Sequence, residues 1–127
     1  HIADVTAHEL KKNKNKKVAL FGTKYTMEQD FYKQKLINRN IDVLIPDEAD
    51  RVFINDCIYN ELCMGIISDI SRKKFLNIIE KMKKEGAEGA ILGCTEIGLL
   101  VKQKDTSLPL FDTTELHAKK AALYSLD

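Results

Sequence analysis

The apolar residues of this chain fall into two kinds of pattern. Four short runs, residues 17–21 (KVALF), 41–45 (IDVLI), 89–92 (GAIL) and 108–111 (LPLF), are rich in Val, Ile, Leu and Phe. Runs of this length and composition predict strands buried on both faces. Between them the apolar positions recur at helical spacing. Residues 26–39 carry Met27, Phe31, Tyr32 and Leu36, with Thr26 and Gln29 placed as a capping box. Residues 50–64 carry Phe53, Cys57, Ile58 and Leu62 on one side. Residues 72–84 carry Phe75, Ile79 and Met82, with Ser71 as N-cap and Gly86 as a stop. A first helix over residues 5–12 precedes the first strand, and a last one, capped by Asp112 and Glu115, runs over residues 115–126.

Strands alternating with helices predict an α/β fold: a four-stranded parallel sheet with right-handed crossovers and helices on both faces, in three αβα layers. Ligands of such sheets sit at the carboxyl ends of the strands. There the chain places Gly22-Thr23-Lys24-Tyr25-Thr26, Pro46-Asp47, Gly93-Cys94-Thr95-Glu96 and Asp112-Thr113-Thr114. Threonine hydroxyls and backbone N–H groups at helix starts suit a carboxylate or phosphate. Each such Thr or Asp is also an ordinary N-cap.

Composition narrows the function. The 127 residues suffice for one ordinary domain, and 44% are apolar, so a core forms. Twenty basic and 19 acidic side chains leave a charge of +1, which gives no reason to expect nucleic acid or a membrane as partner. The basic run KKNKNKK (residues 11–17) has no interleaved aromatics and reads as a solvated helix end and loop. No apolar run is long enough to span a bilayer, and no signal-peptide pattern is present. Three cysteines without CxxC or Cys/His ligand spacing argue against a disulfide framework or a zinc site, so a cytoplasmic chain without metal is expected.

The three thiols differ in position. Cys57 lies on the apolar face of its helix and Cys63 follows close behind, so both read as structural. Cys94 follows a buried strand and opens a helical segment, where the helix dipole is expected to lower its pKa. On position alone it is as well explained as a structural thiol as a reactive one. Lys24 faces either an anionic ligand or water. His8 is expected on an exposed helix face and His117 in a packing or capping role. No Ser-His-Asp arrangement, Walker loop or GxGxxG appears.

One internal echo stands out. HIADVTA at the start parallels PLFDTTE near the end, with Asp4 on Asp112 and Thr6 on Thr114. The chain also opens on His1, not Met. The start on His1 fits an engineered chain, a processed one or a piece of something longer, and the echo is expected of the second half of a pseudo-symmetric two-domain protein.

GTKYTMEQDFY, IPDEAD, IYNELCMG, GAEGAILGCTEIGLL and LPLFDTTELHAKKA, in that order and spacing, resemble the bacterial aspartate/glutamate racemase family, nearest its broad-specificity amino-acid racemase branch. GCTE at a strand end is the most specific element. The resemblance implies one of the two similar domains of a cofactor-independent racemase, with an amino-acid substrate in the cleft between them and one proton-transfer residue from each. Cys94 matches the second-domain catalytic residue. Thr95 and Glu96 beside it, and Thr23 and Thr26 of the first loop, match positions facing the substrate.

The same resemblance implies the organisation. Residues 1–12 are the remnant of the first domain's last turn and linking helix, and residues 13–113 the C-terminal racemase domain. Residues 114–127 form a helix that packs back on the missing N-terminal domain, or pairs with a second copy of the chain in a homodimer. The first catalytic residue, a Cys or Thr in the family, lies outside this chain, so the chain alone is expected to be inactive. Some aspartate-specific members carry a Lys just before the glycine of the stretch Leu62-Cys63-Met64-Gly65. Its absence argues against strict aspartate specificity. Alternatives are other chemistry of the same superfamily, of the maleate isomerase or arylmalonate decarboxylase type, or a non-catalytic α/β binding module.

Overall fold

A computed structural model describes residues 2–12 and 14–113. The helix expected over residues 115–126, with His117, lies outside the described residues. The elements run α1 (Ile2–Lys12), β1 (Lys17–Phe21), α2 (Lys24–Glu28), α3 (Asp30–Ile37), β2 (Asp42–Leu44), α4 (Glu48–Asn60), a 3₁₀ turn (Leu62–Met64), α5 (Asp69–Lys84), β3 (Gly89–Leu92), α6 (Ile97–Leu100), a second 3₁₀ turn (Gln103–Asp105) and β4 (Leu110–Asp112).

The strands form one parallel sheet in the order β2-β1-β3-β4. Its two faces separate by the twofold alternation of side chains along a strand. Val18, Leu20 and Ile91 point to one face, against Ala7 and Leu10 of α1 and Tyr32 and Leu36 of α3. Ala19, Phe21, Ala90 and Leu92 point to the other, against Ile54 and Ile58 of α4, Phe75, Ile78 and Ile79 of α5, and Ile97 and Leu100 of α6. Phe21 and Phe75 meet edge-on with ring centroids 5.5 Å apart. The three αβα layers are those that the alternating pattern predicted.

Several boundaries differ from expectation, each for a local reason. The pattern over residues 26–39 is two helices, because Gln29 is extended (φ −79°, ψ 153°). The cap of α2 is Thr23, whose hydroxyl accepts the N–H of Thr26 at 3.2 Å, so Thr26 lies inside the first turn and opens no capping box. Asp47 caps α4 and brings its start forward to Glu48; the helix stops at Asn60, with the expected tail wound into the 3₁₀ turn and closed by Gly65 at φ 78°. Ser68, not Ser71, caps α5. Ser71 is buried and donates instead to Glu61 Oε1 at 2.7 Å. Gly86, at φ 106°, follows the end of α5 as expected.

β4 begins two residues late, because Leu108 is buried ahead of the ladder and Pro109 has no N–H to donate, while its carbonyl accepts the N–H of Ala90. β2 is short, and its Asp42 is exposed, as suits an edge strand. Among the described residues no helix is long and apolar enough to cross a membrane.

Candidate active site

The strand order fixes where a site can form. From β1 the chain moves outward to β2, then crosses back to β3 on the other side of β1. The loops after β1 and β3 therefore leave in opposite directions, and the carboxyl edge between them is where sheets of this kind bind ligands. The loop after β1 holds Thr23 and Thr26, and the turn after β3 holds Cys94, Thr95 and Glu96. The fold thus brings these two predicted groups to neighbouring strand ends.

The loop after β1 is self-braced. Thr23 Oγ1 donates to Thr26 Oγ1 at 3.1 Å, and Asn55 of α4 accepts the N–H of Lys24 at 2.8 Å. Asn55 is a supporting residue that the sequence pattern did not single out. It lies in mid-helix, and only its placement opposite the start of α2 reveals the role. Lys24 is exposed in the first turn of α2.

The turn after β3 is close-packed against its neighbour. A Cβ on Gly93 would come within 3.1 Å of the Phe21 carbonyl oxygen and 3.3 Å of the Thr26 methyl. A Cβ on Gly22 would meet the same methyl at 3.1 Å. Glycine at both positions lets the two loops approach without pressing a side chain between them. Cys94 is half-buried and packs against the core face that holds α4 and α5. Its Sγ donates to Glu96 Oε2 at 2.8 Å, and the same oxygen accepts the Thr95 hydroxyl at 2.7 Å. Thr95 is exposed and Glu96 half-buried.

The electrostatics run against expectation. Burial, then the hydrogen bond to the Glu96 carboxylate, push the Cys94 thiol up to about 11. The backbone N–H of Glu96 pulls it the other way, by less. A helix start does favour the thiolate, but α6 has only four residues and a carboxylate stands at its cap, so the lowered pKa expected for Cys94 is not found. The hydrogen bonds from Cys94 and Thr95 hold the Glu96 carboxyl below the usual range. In the resting chain at neutral pH the pair is a thiol donating to a carboxylate.

The other thiols divide. Cys57 is buried on the inner face of α4, as expected. Cys63 is exposed, which corrects the structural role expected of it: the 3₁₀ turn points Leu62 inward and leaves Cys63 and Met64 outside. Its negative form is near enough to Cys94 to add to the upward push on that thiol. His8 is exposed, as its helix position implies. Among the described residues no three His, Cys, Asp or Glu side chains gather to hold a metal ion.

Fold and edge together define a doubly wound α/β protein with a thiol and a carboxylate at its switch point. The chain belongs to the Asp/Glu/hydantoin racemase family, whose model matches residues 1–121. Among solved structures it is similar to a candidate Asp/Glu racemase from Yersinia pestis, with 49% identity, a TM-score of 0.95, and coverage of 100% of this chain and 56% of that one. It is also similar to an aspartate racemase homologue from Pyrococcus horikoshii OT3, with 35% identity, a TM-score of 0.91, and coverage of 99% and 55%. A Picrophilus torridus aspartate racemase shares the fold at 24% identity, with a TM-score of 0.69 and coverage of 89% and 46%. An uncharacterised protein encoded in the pnlA 3′ region of Pectobacterium carotovorum subsp. carotovorum is 33% identical over 94% of this chain and 79% of its own length. The chain thus spans about half the length of the solved structures it matches.

Proposed function

We propose that the chain is the Cys94-bearing half of a cofactor-independent amino-acid racemase of the aspartate/glutamate type. The observation that carries this reading is the placement of the Cys94–Glu96 pair at the switch point of a racemase-family fold. In the reaction, a proton leaves the substrate Cα on one face and another arrives on the opposite face. Cys94 rests protonated, so it is poised first as the donor: its thiol proton passes to the carbanion carbon, the S–H bond breaks as the C–H bond forms, and the thiolate remains. In the reverse direction the thiolate takes the α-proton. Glu96 holds the thiol in line and stabilises its protonated form. This changes the role expected for Glu96 from substrate contact to partner of the thiol.

The α-proton of an amino acid is weakly acidic, so the reacting groups must be held close and in line. Developing charge on the substrate needs donors already in place, and the Thr95 hydroxyl and the backbone amides of the two loops are the candidates. Thr23 and Thr26 bond each other, and their part is to shape the loop wall of the cleft. The group that acts on the other face comes from a second half. The 127-residue chain incubated alone with L-aspartate or L-glutamate in D₂O is expected to leave the Cα proton in place. Joined to the other half of the fold, it is expected to exchange and invert that centre. Inversion by the chain alone, or none by the joined protein with any amino acid, contradicts the proposal.

A further inference from the structure

The peptide group between Leu92 and Gly93 lies one residue ahead of Cys94, and it is gripped at both ends. Its N–H donates to the Phe21 carbonyl at 2.7 Å, continuing the β1–β3 ladder by one residue. Its carbonyl, on the side of β4, accepts from Thr113 Oγ1 at 3.0 Å. The β3–β4 register ends at Leu92 and Asp112, so the bond at this carbonyl comes from a side-chain hydroxyl. Thr113 is 7% exposed, so no water readily replaces that hydroxyl. On the β1 side, a Cβ at Gly93 would press on the Phe21 carbonyl at 3.1 Å and the Thr26 methyl at 3.3 Å. The plane of this peptide sets the direction in which the chain leaves β3, and with it the place of the Cys94 sulfur.

We infer that Thr113 is a positioning residue for Cys94: its hydroxyl locks the Leu92 carbonyl and so fixes the turn that carries the thiol. A buried carbonyl whose donor is removed must find another, and the cheapest way is for the peptide to rotate. Cys94 then moves relative to Glu96 even though neither residue is altered. The purpose of this lock rests on the racemase reading, but its geometry does not.

The test uses the 127-residue chain with Thr113→Val, which keeps the shape and removes the hydroxyl, and Thr113→Ser, which keeps the hydroxyl. Alkylation by iodoacetamide is followed for each cysteine separately by peptide mass spectrometry across the pH range. The buried Cys57 reports on folding in the same sample. Thr113→Val is expected to change the Cys94 rate at about pH 8 by roughly fivefold or more and to move its pH midpoint. Thr113→Ser is expected to stay within about twofold, and Cys57 to remain protected throughout. An unchanged Cys94 profile in Thr113→Val overturns the inference. So does a Thr113→Ser profile like that of Val, or loss of Cys57 protection together with the Cys94 change, since both would mean packing and not the hydroxyl bond. In the joined two-half protein, Thr113→Val is expected to lower kcat about tenfold with KM nearly unchanged. If the unaltered joined protein does not racemise, the racemase reading fails while the labelling result still decides the lock.

Discussion

Cys57 and Cys94 have almost the same chemical surroundings. Each thiol donates to a glutamate, Glu61 at 3.9 Å and Glu96 at 2.8 Å, and each of those carboxylate oxygens also accepts a hydroxyl, from Ser71 and Thr95, both at 2.7 Å. Burial is the leading cause at both sites, and both thiols are pushed up to about 11. Yet Cys57 lies on the inner face of α4, 2% exposed, between that helix and α5, where its Glu61–Ser71 group ties the end of one helix to the start of the next. Cys94 lies half-exposed on a turn at the carboxyl edge, beside the strand whose loop leaves in the opposite direction. A shifted pKa therefore does not tell a reacting thiol from a structural one in this molecule. Its place in the sheet does: of these two, only Cys94 can meet a ligand without unpacking the core.

The largest contrast is expected from neutralising the two carboxylates. Glu96→Gln removes the negative charge and leaves only a weaker, neutral acceptor for the Cys94 proton, so the thiol pKa falls. At about pH 8 the thiolate fraction rises about tenfold for each unit of that fall, and the alkylation rate rises about threefold, since a less basic thiolate is a weaker nucleophile. Glu61→Gln is expected to leave Cys57 protected, because access through the α4–α5 packing limits its rate. Equal acceleration of both thiols would erase the distinction. Before any substitution, Cys63, which is exposed, is expected to label fastest of the three. This reverses the order that a lowered Cys94 pKa would give.

A smaller effect sharpens the same contrast on the side of packing. Gly93→Ala presses a methyl against the Phe21 carbonyl, which belongs to a central strand, and against the Thr26 methyl. A loss of about 1–3 kcal/mol in urea unfolding is expected. The Cys94 labelling profile should shift and that of Cys57 should not. An unchanged midpoint would show that the turn has slack and that the close approach of the two loops is incidental.

Much of this was legible in the sequence, for physical reasons that differ from one element to another. β1 and β3 are central strands buried on both faces, so their apolar runs mark them to the residue. β2 and β4 are edge strands, where part of each run serves packing outside the ladder; Ile41 and Leu108 are buried without being paired in the sheet. The break between α2 and α3 carries no glycine or proline to announce it. Caps were misplaced where two hydroxyl residues stood three apart, as with Thr23 and Thr26, and Ser68 and Ser71. Spacing allows either choice, and only the path of the preceding loop decides between them.

At the site, the GCTE stretch singled out Cys94, and the topology placed it beside Thr23 and Thr26. The charge state was not legible. It depends on how deeply the sulfur is set and on which way the Glu96 side chain turns, and neither is written in spacing. The grip of Thr113 on Leu92 was equally hidden, since it joins residues 21 positions apart through a strand pairing.

The most direct test of the contrast is solvent deuterium incorporation at Cα of L-aspartate and L-glutamate by the joined two-half protein, comparing Cys94→Ala with Cys57→Ala. The account predicts that Cys94→Ala abolishes inversion while Cys57→Ala, once shown to be folded, keeps it within a few-fold of the unaltered protein. Inversion that survives Cys94→Ala, or that is lost equally in a folded Cys57→Ala, would contradict it.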